Sequence, residues 1–183
     1  MMMRTTGKTA PDASNIYVWD LVVRLFHWIT VISFALAYFF DDNRSLHKFF
    51  GYTLLMALII RLFWGFIGSY HARFLNFIPL PTEAVRYLLA MIRGHESRHL
   101  GHNPAGAMMI VALIIALSTI SATGYMMGMD RYWGEEWVEQ LHADAVNITL
   151  LLLVLHLGGV VYTSWKHREN LVRSMMTGWK SKT

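Results

Sequence analysis

Four histidines in this 183-residue chain stand inside or at the edge of long apolar blocks. His142 and His156 bracket the run LHADAVNITLLLLVLHLGG, His27 lies in RLFHW and His47 in LHKFFGY. A neutral imidazole nitrogen is a strong ligand for iron, zinc or copper, and an ionisable group in an apolar span is costly, so each is a functional candidate. For any one of them a hydrogen bond across helices is an equally good account. The set says more than its members.

His142 and His156 are fourteen residues apart. In an α-helix that interval turns about 1400°, within roughly 40° of whole turns, and rises about 21 Å, which places both on one face at two depths. The second and fourth apolar blocks run in the same direction, and His47 and His142 are each the second residue of their block, so these two are level. His27 lies thirteen residues from the end of the first block and His156 fifteen from the start of the fourth, about 20 and 22 Å respectively. These two are level as well. Two imidazoles from facing helices at one depth are the neutral axial ligands of a six-coordinate b-type haem, with apolar side chains to wall the porphyrin. A structural zinc would need four ligands, which neither level offers. The chain has no cysteine, which excludes disulfides, thiolate-held iron–sulfur clusters and a C-x-x-C-H haem attachment. The expectation is two haem b stacked across a bilayer, bound by His27, His47, His142 and His156, with no side chain assigned a catalytic role.

The elements that must position these residues follow from hydropathy. The chain is 55% hydrophobic and 15% charged, and four blocks, Tyr17–Phe40, Leu46–Tyr70, Ala105–Met129 and Leu141–Trp165, reach the roughly 20 residues that cross a hydrocarbon core of about 30 Å. The first holds Asp20 and Arg24 and lacks a small-residue cleavage site, so it reads as a retained span and not a secretory signal. Lysine and arginine collect in the N-terminal tail, the 72–104 connection and the C-terminal tail, while the other side has only Arg44, Lys48 and Arg131. Both termini are therefore expected in the cytoplasm. The net charge of +4 then serves topology and attraction to anionic lipid, with no need of nucleic acid. The fold class expected is all-α: an integral membrane four-helix bundle enclosing two b-type haems. Residues 1–16 form a flexible cytoplasmic tail, 17–165 the transmembrane cytochrome b domain and 166–183 a basic cytoplasmic tail. Asp41–Arg44 is a tight turn that makes the first two spans antiparallel neighbours. In PTEAVRYLLAMIRG (Pro81–Gly94), Thr82 is expected to cap a short surface helix with Val85, Leu88, Leu89 and Ile92 on one face.

Other polar residues carry two readings each. Gly51, one turn from His47, and Gly158 and Gly159 after His156 would admit a flat macrocycle or simply close helix packing. Arg24 is expected to pair with Asp20 or snorkel to headgroups, ahead of meeting a haem propionate. Arg44 and Lys48 flank the outer level as propionate partners or interface cations. Arg61 reads as a snorkelling residue, with an inner propionate as the alternative. His95, His99 and His102 would share a helical face, but Gly94, Gly101 and Pro104 favour a polar loop over a metal site. Met126, Met127 and Met129 read as packing.

The stretches RLFHW (Arg24–Trp28), LHKFFGY (Leu46–Tyr52) and HNPAG (His102–Gly106), together with His142 and His156, resemble the bacterial cytochrome b561 family. That superfamily includes the cytochrome b subunits of nickel–iron hydrogenases and of membrane formate dehydrogenase. The likeness runs from about Tyr17 to Met176. It implies a dihaem cytochrome in which His27 and His156 hold the inner haem and His47 and His142 the outer one, in agreement with the depth arithmetic. It also implies electron exchange between the quinone pool and a periplasmic redox partner, a c-type cytochrome or an enzyme subunit, in the bacterial inner membrane. On this reading the chain is an electron-transfer subunit of an oxidoreductase more than a stand-alone enzyme. Asp130, Glu135, Glu136, Glu139 and Asp144 form an acidic outer surface suited to a basic partner. Trp19, Asp20, Tyr162 and His167 are conceivable quinone contacts. Two other functions compete: a superoxide:quinone oxidoreductase, its anionic substrate drawn to Arg44, Lys48 and Arg131, and a haem-free histidine-bearing transporter or structural bundle.

Overall fold

In hydrocarbon every backbone N–H and C=O has to be paired within its own segment, so long apolar runs free of breakers become helices. The structure, a computed structural model, describes residues 15–93, 95 and 103–181. After a short strand β1 (Asn15–Tyr17) come α1 (Leu21–Phe39), α2 (Arg44–Ile67), α3 (Phe74–Phe77), α4 (Pro81–Ile92), α5 (Pro104–Met126), a 3-10 turn over Asp130–Tyr132, α6 (Glu136–Lys166), α7 (Leu171–Thr177) and β2 (Trp179–Ser181). Helices α1, α2, α5 and α6, of 19, 24, 23 and 31 residues, are long and apolar enough to cross a membrane.

Side-chain caps set three of the four starts. Asp20 accepts from Val23 N at 2.9 Å, Asn43 from Leu46 N at 3.1 Å and Asn103 from Gly106 N at 2.6 Å, the last with Pro104 at the first helical position, where no N–H is missed. Helix α6 begins at Glu136, five residues before the apolar block. Glu136 and Glu139 suit the positive end of the helix dipole, and Val138 is fully buried, so this first turn is helical although it is not uniformly apolar. Helix α4 also departs from expectation. Leu80 is its capping residue and Pro81 its first, leaving Thr82 inside; among its described side chains Ala84 and Tyr87 are buried, while Val85 and Leu89 face outward.

The spans form two antiparallel hairpins, α1 with α2 and α5 with α6, joined along α2 and α5, with α4 laid against α5. Leu54 and Leu58 of α2, Leu117 and Ile120 of α5 and Ala145 of α6 make the central apolar cluster, flanked by Phe26, Phe34 and Val146. Helix α6 packs along α5 but does not pair closely with α1 or α2. At the far end β1 and β2 pair antiparallel, Ile16 opposite Lys180, a tie between the two terminal segments that hydropathy does not announce. Gly178, at φ +88, turns the chain out of α7, and a side chain there would run into Tyr17 and the Trp19 carbonyl.

Candidate functional site

The structure brings His47 and His142 together edge to face, ring centroids 6.2 Å apart at an interplanar angle of 62°. They lie at the end of the bundle where α1 turns into α2. His142 is the seventh residue of α6 and His47 the fourth of α2, so they meet despite unequal offsets from their helix starts, because α6 begins early.

Both rings are oriented through Nδ1. The Nδ1 of His47 is 2.9 Å from the Ala37 carbonyl, one of the last-turn carbonyls of α1 that has no intrahelical donor. A carbonyl only accepts, so Nδ1 carries the proton and Nε2 keeps its lone pair. The Nδ1 of His142 is 2.9 Å from Thr123 Oγ1 on α5. The hydroxyl of Thr123 has backbone acceptors for its single proton in the Thr119 carbonyl at 2.7 Å and the Ile120 carbonyl at 3.1 Å; with the proton there its oxygen accepts from His142, again leaving Nε2 bare. Two imidazoles each bonded at about 2 Å to one metal, with ring centres roughly 1.2 Å behind the nitrogen, stand about 6.4 Å apart. The observed spacing fits that arrangement. Gly124, next to Thr123, is a close neighbour: a Cβ there would lie 3.3 Å from His142 Cε1. Gly51, one turn below His47, faces open space, as do Gly158 and Gly159, which fits a flat group lying against these helices.

The second pair, His27 on α1 and His156 on α6, lies toward the termini, near enough for the two rings to interact electrostatically. Both are half-buried. The buried Nδ1 of His27 has no hydrogen-bond partner among the described residues, an orphaned polar atom of the kind that fits a site completed by a non-protein group. Leu54, Leu58, Leu117 and Ile120 fill the space between the levels. No group of three or more His, Asp or Glu able to hold a metal occurs among the described residues. An iron bound by only two side chains needs its other ligands from a macrocycle, which is the donor set of a b-type haem.

The surrounding polar residues correct several expectations. Arg24 does not pair with Asp20; its Nη1 donates to the Thr177 carbonyl at 3.1 Å. Asp20 accepts instead from Trp64 Nε1 at 3.0 Å and from the Ser69 hydroxyl, tying α1 to the end of α2. Burial opposes ionisation of Asp20, but the bonds from Ser69, Trp64 and the Val23 and Val22 backbone prevail and hold its carboxyl below the usual range. Arg61 does not snorkel: it is 3% exposed. Arg44 lies over the Trp133 ring at 5.1 Å and Arg131 over Tyr132 at 5.5 Å, so each is an interface cation on an aromatic face. Lys48 is exposed. His99 and His102 lie outside the described residues. Trp19 is buried, and Tyr162 and His167 are half-buried. Sequence reasoning missed Thr123, Gly124, Trp64 and Ser69; a hydroxyl within an apolar span was the available signal for Thr123.

Comparison with known proteins gives a consistent result. The family model described as prokaryotic cytochrome b561 matches residues 18–178. A probable Ni/Fe-hydrogenase B-type cytochrome subunit of Azotobacter vinelandii is 23% identical over 212 residues, covering 90% of this chain and 88% of that protein. Its namesake from Azotobacter chroococcum mcd 1 is 24% identical over 212 residues, with the same 90% and 88% covered. The one from Rhizobium leguminosarum bv. viciae is 20% identical over 219 residues, covering 94% and 91%. No solved structure matches the chain significantly.

Proposed function

This chain belongs to the prokaryotic cytochrome b561 family, and from that premise we propose that it is a dihaem subunit moving electrons across the bacterial inner membrane between the quinone pool and a periplasmic redox partner. Family membership makes it a multi-pass b-type cytochrome working in membrane electron transfer, which sets aside the haem-free reading. In the proposal His47 and His142 ligate the outer haem, His27 and His156 the inner one, and both termini are cytoplasmic. The names of its relatives make a hydrogenase the first partner to test, with a c-type cytochrome second.

The observation that carries this reading is the facing pair His47 and His142, 6.2 Å apart, each with Nδ1 engaged and Nε2 free. Haem iron supplies one-electron chemistry when bound; the residues of the chain hold and insulate it. The Ala37 carbonyl and Thr123 orient the outer imidazoles. The leucines and isoleucine of the central cluster keep water from the space between the levels. The test is haem stoichiometry with redox titration of purified His→Ala variants. His47→Ala and His142→Ala should each lose the same component, and His27→Ala and His156→Ala the other. Loss of one component in all four variants would refute the pairing.

A further inference from the structure

Arg61 stands in an apolar span with its guanidinium sealed from solvent, 3% exposed. It follows His47 by fourteen residues, the interval that separates His142 from His156. It therefore returns to nearly the face of α2 that carries His47, about 21 Å further along. The buried seam of α2 runs through Leu54, Leu58, Arg61 and Gly65. At the level where α1 brings His27 and α6 brings His156, α2 brings Arg61 in the register that His47 occupies at the other level.

The bonds Arg61 makes leave part of it unused. Nη2 donates to the Ala72 carbonyl at 3.2 Å, and the guanidinium carbon lies 4.7 Å over the Phe74 ring. Asp20 acts on it electrostatically, but its oxygens are taken by Val23, Trp64 and Ser69. Nη1 is buried and has no hydrogen-bond partner among the described residues. A buried guanidinium with a free N–H in a membrane span calls for an oxyanion. At this level the proposed ligand brings one: a haem carries propionate carboxylates.

We propose that Arg61 is the buried counter-cation of the inner haem, its Nη1 hydrogen-bonding a propionate oxygen and its charge raising that haem's reduction potential. This rests on the dihaem reading above. A fixed positive charge stabilises the form that has gained an electron, and water at this depth is too scarce to screen it. At the outer level the acceptors on both histidine Nδ1 atoms act the other way, strengthening the imidazoles as donors and favouring the oxidised iron. Both effects bias electron flow from the outer haem to the inner.

The experiment is a redox titration of the full-length purified protein beside Arg61→Gln, Arg61→Lys and Phe74→Leu. Haem content of the wild type is measured first; fewer than two haems per chain sinks the dihaem reading and this inference with it. With two haems present, Arg61→Gln should lower the reduction equilibrium of the component lost in His27→Ala by tenfold or more, about 59 mV for one electron. The component lost in His142→Ala should not move. Arg61→Lys keeps the charge and should hold the inner midpoint within threefold of wild type, and Phe74→Leu, which alters packing without charge, should leave it unmoved. Unchanged midpoints in Arg61→Gln, or equal shifts of both haems, would overturn the assignment while leaving two haems in place. Should Arg61→Gln not retain haem, Arg61→Lys decides: a tenfold fall there overturns it, and a held midpoint supports it.

Discussion

A threonine hydroxyl has one proton, and Thr123 has the Thr119 and Ile120 carbonyls of its own helix to take it, so what it offers His142 is an acceptor. Thr123→Val should take one acceptor from the His142 Nδ1–H, raise the midpoint of the proposed outer haem and weaken its binding by roughly 10- to 100-fold. Thr123→Ser should restore both, as read by haem retention and redox titration; an outer midpoint indifferent to Thr123→Val would remove the residue from the site. At this scale the sequence pointed to the histidines and was silent about the hydrogen-bond partners of their rings. The fourteen-residue interval put His142 and His156 on one face of one helix, and matching places at the start of two parallel apolar blocks sufficed to bring His47 and His142 level. Which acceptor meets Nδ1 depends on the register between α5 and α6, or between α1 and α2, and no interval within one helix encodes that. Arg61 was misread for a related reason. Snorkelling is the expectation for an isolated helix, but Phe74 of the following short helix folds back over the guanidinium.

At the scale of elements, α6 is the shared post of the two levels, presenting one histidine to each and standing off from α1 and α2 where a ligand would lie. The apolar blocks located all four spans. The ends were harder to see, because caps and dipole-compatible acidic residues add turns that hydropathy does not count, as at Glu136–Gln140. The pairing of β1 with β2 was invisible because three-residue strands carry too little pattern to read. Asp20 joins these scales: it caps α1 and receives Trp64 and Ser69 from the end of α2. Asp20→Ala should cost about 1 kcal/mol (0.5–2) in thermal or denaturant unfolding through the lost cap. The carboxyl of Asp20 is held below its ordinary value, so its contribution is complete above about pH 4 and is lost as pH falls through the lower folded value. Acid destabilisation below about pH 4 should therefore be weaker in Asp20→Asn than in the wild type. An acid profile unaltered by that substitution would mean that folding does not depress the pKa of this carboxyl.

The whole molecule carries exposed acids, Asp130, Glu135, Glu136, Glu139 and Asp144, at the end that holds His47 and His142. A basic periplasmic partner would be steered there, and raising ionic strength past about 0.15 M, where the Debye length is near 8 Å, should slow its association. A rate insensitive to salt would remove electrostatic steering from the account. The central claim concerns what the bundle encloses, and the haem content of the purified chain tests it most directly. Pyridine haemochrome and protein assays on one preparation from haem-replete cells should give two haem b per chain, titrating as two one-electron components. A ratio of one, or a colourless protein, would contradict the dihaem reading.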